Sequence, residues 1–183
     1  KEQAASHFHL DPSKKTILII GGSQGARSIN QGILAGLDRL ADAGVQVIWQ
    51  TGIAFESTAK KAATGNTGAY VSAFIYEMDL AYAMADLVIS RAGASSVSEI
   101  CLIGKASILV PLPSAAEDHQ TENAKSLVSQ NAAILVRDAD VKENLITEAL
   151  AALKSDLSTL EKNSLRLAKP NAAHEIAQSI LSR

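Results

Sequence analysis

Short apolar runs alternate along this chain with stretches whose apolar residues recur at helical spacing. Thr16-Ile17-Leu18-Ile19-Ile20 is an unbroken β-branched run that stops at Gly21-Gly22, the mark of a strand buried on both faces. Ile29, Ile33, Leu34, Leu37 and Leu40 then fall on one helical face that ends at Gly44. The same alternation predicts strands over 45–49, 69–73, 87–89, 107–110 and 132–136. Between them it predicts helices over 55–63, around 78–85, and over 95–103 and 120–129, with three more helical segments closing the chain. Strand and helix in turn imply an α/β fold, a parallel sheet with helices on both faces. Residues 1–15 are polar and mixed and read as a linker or lead-in, so the domain is expected over 16–183. Pro170 sets apart a last helix over 171–182, with Ala173, Ile176, Ala177 and Ile180 at helical spacing.

The 183 residues fit one domain at roughly 150 residues each. An apolar fraction of 47% with a net charge of only -2 excludes a disordered chain and argues against nucleic acid as a partner. The single cysteine, Cys101, excludes a disulfide framework and reads as a core thiol in a reducing compartment. No run approaches the roughly 20 apolar residues of a membrane span. The chain starts at Lys1 rather than methionine, so a piece of a longer protein is expected.

In an open α/β sheet the ligand lies beyond the carboxyl ends of the strands, so the informative residues follow the strands directly. Gly21-Gly22-Ser23-Gln24-Gly25-Ala26 comes first. Glycines there allow close approach of a ligand, and a helix start offers free N–H groups to a phosphate. The alternative is a tight turn that binds nothing. The loop is no dinucleotide fingerprint, because Ile20 stands where the first glycine belongs and strand two ends in Trp49-Gln50-Thr51-Gly52 without a carboxylate. A Walker loop fails as well, since no Gly-Lys-Ser/Thr follows.

The second place is 90–99, where Gly93, Ala94, Ser95, Ser96, Val97 and Ser98 open a helix and Glu99 lies one turn inside it. A carboxylate there suits a ribose diol; the competing reading makes Ser96 and Glu99 a capping box. The third is 111–123, where Gln120 and Asn123 lie on nearly one helical face with amides suited to sugar hydroxyls. Asp118-His119 reads as a surface cap, and His7, His9 and His174 show no metal-ligand spacing.

Taken together these segments resemble one family. Ile20-Gly21-Gly22-Ser23-Gln24-Gly25-Ala26-Arg27, Phe74-Ile75 with Met78, Ala81-Tyr82 and Ala85-Asp86, the run from Ser90 to Glu99, Val110-Pro111, and His119-Gln120-Thr121 with Asn123-Ala124 are similar to the C-terminal half of the MurG family. Those N-acetylglucosaminyltransferases make lipid II from lipid I in peptidoglycan synthesis. The resemblance runs from about Thr16 to Val136. It implies a Rossmann-like doubly wound parallel sheet, the C-terminal half of a GT-B fold. It also implies the donor UDP-N-acetylglucosamine, an inverting transfer without an essential bound metal or other cofactor, and a parent enzyme on the cytoplasmic face of the bacterial membrane. Carried over by position, Gly22, Ser23, Gln24 and Gly25 would meet the diphosphate and the Ile75 main chain the uracil. Ala94, Ser95, Ser96, Val97 and Ser98 would lie along the ribose-phosphates, Glu99 on the ribose hydroxyls, and Gln120 on the sugar. Ser114 stands where members commonly carry histidine. The family's catalytic base and acceptor-binding loops have no counterpart in the sequence, so a chain inert alone is expected, with its last helix crossing to the absent N-terminal domain. A UDP-sugar 2-epimerase and a non-catalytic nucleotide-binding module are the alternatives.

Overall fold

The computed structural model describes residues 1–115 and 118–182. Six parallel strands form one sheet: β1 (Thr16–Ile20), β2 (Gln46–Gln50), β3 (Ala69–Ser72), β4 (Leu87–Ser90), β5 (Ser107–Leu109) and β6 (Ile134–Leu135). Their order is β3-β2-β1-β4-β5-β6, the doubly wound arrangement whose direction reverses between β1 and β4. The helices are α1 (Glu2–Phe8), α2 (Arg27–Asp42), α3 (Ile53–Ala62), α4 (Met78–Met84), α5 (Ala94–Ile103), α6 (His119–Ser129), α7 (Val141–Lys154), α8 (Ser158–Arg166) and α9 (Ala172–Leu181).

Successive side chains of a strand point to opposite faces, and here both faces are covered. Ile17, Ile19, Val47, Trp49, Leu87, Ile89 and Ile108 pack with Ile29, Ile33, Leu37 and Leu40 of α2, Ala59 of α3, and Leu145 and Ile146 of α7. Leu18, Ile20, Ile48, Val88 and Leu109 pack on the other side with Phe8 of α1, Tyr82 and Met84 of α4, Ile100 and Cys101 of α5, and Leu127 of α6. Every residue of β1 is therefore buried, which is why its sequence shows no polar alternation. The strand expected over 132–136 shrinks to two residues, because the Ala132 N–H bonds to Leu127 O and closes α6 instead.

The lead-in reading of 1–15 is corrected. Glu2–Phe8 is a helix, and Ala4, Ala5, Phe8 and Leu10 are buried. Phe8 meets Tyr70 edge to face with ring centroids 4.9 Å apart. Beyond α1, the Gln46 side chain accepts from the Asp11 N–H and donates to the Asp11 carbonyl, both at 2.8 Å. Asp86 accepts from the Thr16 N–H at 2.9 Å and pairs with Lys1 and Lys15. Burial works against the Asp86 charge, but these partners outweigh it and hold its pKa below the usual carboxylate value. The segment escaped the sequence reading because two alanines and one phenylalanine carry its whole apolar face.

α7 lies along α2 at a contact that only glycine permits. A Cβ on Gly32 would come within 2.5 Å of Val141 Cγ1, and one on Gly36 within 2.3 Å of Ile146 Cγ1. By contrast α9 buries no side chain, and Ile176, Ile180 and Leu181 are exposed. Among the described residues no helix is long and apolar enough to cross a membrane.

Two substitutions test this packing by urea unfolding. Phe8→Ala should cost about 3–5 kcal/mol, as loss of a buried aromatic does; a loose lead-in would lose almost nothing. Gly36→Ala should destabilise by about 1–3 kcal/mol through overpacking, although alanine is the better helix former at an open position.

Candidate functional site

At the reversal between β1 and β4 the following loops turn away from each other and leave the sheet's carboxyl edge open. After β1, the Gly25 N–H bonds to Gly22 O at 2.9 Å, and the Gln50 amide donates to the same carbonyl at 2.9 Å. Gly22 holds φ 81°, a left-handed conformation that a side chain would strain. Ser23 and Gln24 are exposed at the tip. The buried Trp49 indole donates to Asn30, whose amide donates to Thr51 O at 2.7 Å, tying α2 to the end of β2.

The glycines of these loops divide into two kinds. A Cβ on Gly25 would lie 2.0 Å from Thr51 O, and one on Gly52 would lie 2.1 Å from Gln24 O. Those two let the loops after β1 and β2 touch. Gly93 differs: its φ of -66° suits any residue, and a Cβ there would meet nothing within 4 Å. Neither backbone conformation nor neighbouring protein accounts for it, so the space it leaves is available to a ligand.

Gly93 caps α5 without any side-chain capping bond, and the first helical bond runs from Val97 N–H to Gly93 O. The N–H groups of Ala94, Ser95 and Ser96 are thus left facing the gap, at the positive end of the helix dipole. The hydroxyls of Ser95, Ser96 and Ser98 make no bond among the described residues, nor does that of Ser23. Ser96 is the third residue of the helix rather than its cap, so the capping-box alternative falls. Glu99 is exposed, and its Oε2 accepts from the Tyr82 hydroxyl at 3.2 Å.

Ile75 lies between β3 and α4. The residue as a whole is 2% exposed, and its main-chain N–H and C=O have no partner among the described residues. Phe74 and Tyr76 flank it as an exposed aromatic pair with centroids 4.9 Å apart. Gln120 Oε1 accepts from the Leu112 N–H at 3.0 Å, which fixes the direction of its amide toward the loop after β5. Ala116 and Glu117 of that loop lie outside the described residues. Asn123, read with Gln120 as an amide for sugar hydroxyls, donates one N–H to Ala92 O at 3.0 Å. Asp118 and His119 are exposed, and Asp118 accepts from the Thr121 hydroxyl. Cys101 is buried, and that burial raises its thiol pKa, as for a core thiol. Among the described residues no cluster of three or more His, Cys, Asp or Glu could hold a metal ion.

Two residues at the site had no role in the sequence reading. Arg91 donates to Val110 O, Pro111 O, Asp138 and the Ser28 hydroxyl. Tyr82 holds Glu99. Their partners lie 17 to 63 residues away, beyond the reach of any local pattern.

With this geometry, residues 16–180 match the glycosyltransferase family 28 C-terminal domain. The chain belongs to glycosyltransferase family 28. It is 49% identical over 185 residues to the UDP-N-acetylglucosamine--N-acetylmuramyl-(pentapeptide) pyrophosphoryl-undecaprenol N-acetylglucosamine transferase of Parabacteroides distasonis, covering 99% of this chain and 50% of that protein. The enzyme of the same name from Flavobacterium psychrophilum is 45% identical over 184 residues, again with 99% and 50% covered. The crystal structure of Acinetobacter baumannii MurG superposes with a TM-score of 0.83 at 29% identity, over 93% of this chain and 53% of that one. The family 28 chain thus has the α/β half-fold its resemblance implied, and it spans about half the length of the curated relatives it matches. Membership of a glycosyltransferase family sets aside the epimerase-like alternative.

The two kinds of glycine should separate in thermal unfolding of this family 28 domain. Gly93→Ala should cost no more than about 0.5–1 kcal/mol, the N-cap preference of glycine over alanine with no steric clash added. Gly25→Ala should cost at least about 1–3 kcal/mol, because its Cβ meets a backbone carbonyl at φ 74°.

Proposed function

We propose that this chain is the donor half of an inverting N-acetylglucosaminyltransferase that holds UDP-N-acetylglucosamine at the β1/β4 reversal. The diphosphate lies on the N–H groups of Ala94, Ser95 and Ser96, against Val97 and Ser98 of the same helix and beside the loop of Gly22, Ser23, Gln24 and Gly25. The uracil pairs with the Ile75 main chain, Glu99 accepts from the ribose hydroxyls, and Gln120 reaches the sugar. The observation that carries this reading is the bare start of α5 behind Gly93, where no described residue uses either the space or the N–H groups. The names of the relatives supply the substrate class: they are transferases of N-acetylglucosamine from its UDP ester.

The acceptor is a lipid-linked N-acetylmuramyl pentapeptide, lipid I, and the product is lipid II. The acceptor hydroxyl attacks the anomeric carbon from the face opposite the diphosphate, the carbon–oxygen bond to UDP breaks, and the configuration inverts. Helix N–H groups stabilise the negative charge that grows on the departing diphosphate, so donor binding requires no resident metal. The general base and the acceptor site belong to the other half of the parent enzyme, at the cytoplasmic face of the membrane. The chain alone binds donor and does not transfer it.

Thermal shift with UDP, UDP-N-acetylglucosamine and NAD tests the donor site. At 100 times its dissociation constant a ligand stabilises by roughly 2.7 kcal/mol, several degrees for a domain of this size. Both uridine ligands should produce that shift and NAD should not. Absence of any shift with millimolar UDP would overturn the assignment. Glu99→Gln should weaken UDP roughly tenfold, the scale of one lost charged hydrogen bond. Turnover by the isolated chain in a radiolabelled-sugar transfer assay would defeat the division of labour.

A further inference from the structure

Glu99 is exposed to solvent on α5, yet one of its oxygens is held from below. Tyr82 lies on α4 within the core on that face of the sheet and is 7% exposed. Its hydroxyl donates to Glu99 Oε2 at 3.2 Å, the one hydrogen bond the phenol makes among the described residues. Burial and the adjacent carboxylate push the phenol pKa well above its ordinary value, so Tyr82 is a donor at any working pH. A donor suits this carboxylate, because the ribose hydroxyls must also donate to it.

From this contact we infer that Tyr82 is a positioning residue of the nucleoside site: its O–H fixes the Glu99 carboxylate so that the remaining lone pairs receive a ribose cis-diol. The inference rests on the placement of the ribose at Glu99 under the proposed function. A glutamate on an exposed helix face samples many rotamers, and a ligand that needs one of them must bear the cost of selecting it. The Tyr82 bond discharges that cost during folding. α4 also begins three residues after Ile75, so one short helix spaces the base-binding main chain from the carboxylate that meets the ribose.

A purely structural role predicts something else. Glu99 would then serve Tyr82 by satisfying a buried hydroxyl, and loss of that hydroxyl would touch stability alone. Calorimetric titration of the parent chain, Tyr82→Phe, Glu99→Gln and the double variant with UDP and with 2′,3′-dideoxy-UDP separates the two. Tyr82→Phe removes one hydroxyl and keeps the ring, and Glu99 stays solvated, so the variant folds; its unfolding midpoint is measured alongside. The parent should prefer UDP over the dideoxy nucleotide. Tyr82→Phe should lose roughly three- to tenfold in UDP affinity with dideoxy-UDP affinity unchanged, a loss on the scale of one hydrogen bond. In the Glu99→Gln background the same substitution should add little, the non-additivity of groups that act as a unit. Unchanged UDP affinity in Tyr82→Phe, or equal weakening of both nucleotides, would overturn the positioning role while leaving the ribose assignment standing. If Glu99→Gln leaves the preference for UDP over dideoxy-UDP intact, the ribose assignment itself fails and the role of Tyr82 fails with it.

Discussion

Arg91 stands at the end of β4, and its guanidinium reaches into the loops around the sheet's reversal point. It donates to the Val110 and Pro111 carbonyls at the end of β5, to the Asp138 carboxylate, and to the Ser28 hydroxyl in the first turn of α2. Ser28 donates in turn to Asp138. One cation thus joins four segments that are distant in sequence, using a planar fork of donors that a lysine could not reproduce. Its side chain is only 13% exposed, so loss of any acceptor would strand charge in a poorly solvated place. The consequence falls on the next two residues. Ala92 is buried and its carbonyl is held by Asn123, so Arg91 from one side and Asn123 from the other set where Gly93 sits and where α5 points. The bare helix start is therefore held by the protein's own hydrogen bonds, and preorganised N–H groups are the ones effective toward developing charge.

Much of the architecture was legible because a sheet covered on both faces writes itself as continuous apolar runs. Ile17 to Ile20, Val47 to Trp49 and Leu87 to Ile89 needed no partner information to be read as strands. The site loops were legible for a related reason: ligand groups in this topology must follow strands, and glycine and serine there have few other uses. What escaped is of one kind. α1, the Gly32 and Gly36 contact with α7, the Arg91 hub and the Tyr82–Glu99 bond all depend on residues brought together only by the fold. The glycines make the point sharply. Gly25 and Gly93 look alike in sequence, yet one admits a neighbouring loop and the other leaves an unfilled space, and only three-dimensional neighbours tell them apart.

The proposed contacts fall into two energetic classes. In the proposed complex Ile75 and Glu99, the latter positioned by Tyr82, bind parts of the donor that are unchanged between ground state and transition state. Their interactions tighten donor binding uniformly and cannot by themselves raise kcat. In the same proposed complex the N–H groups of Ala94, Ser95 and Ser96 face the diphosphate, whose charge grows as the sugar departs, so their contribution increases along the reaction. Substitutions in the nucleoside part of the site should therefore act on KM. Distortion of the α5 start should act on kcat, even though both lie within one helix turn of each other. α5 joins the two classes physically, because it carries the N–H groups at its first residues and Glu99 at its sixth. A displacement of that helix would loosen the nucleoside and misalign the diphosphate together. That coupling gives a physical reason for a half-buried arginine and an asparagine to fix the placement of a single helix, and for a tyrosine to orient the carboxylate it carries.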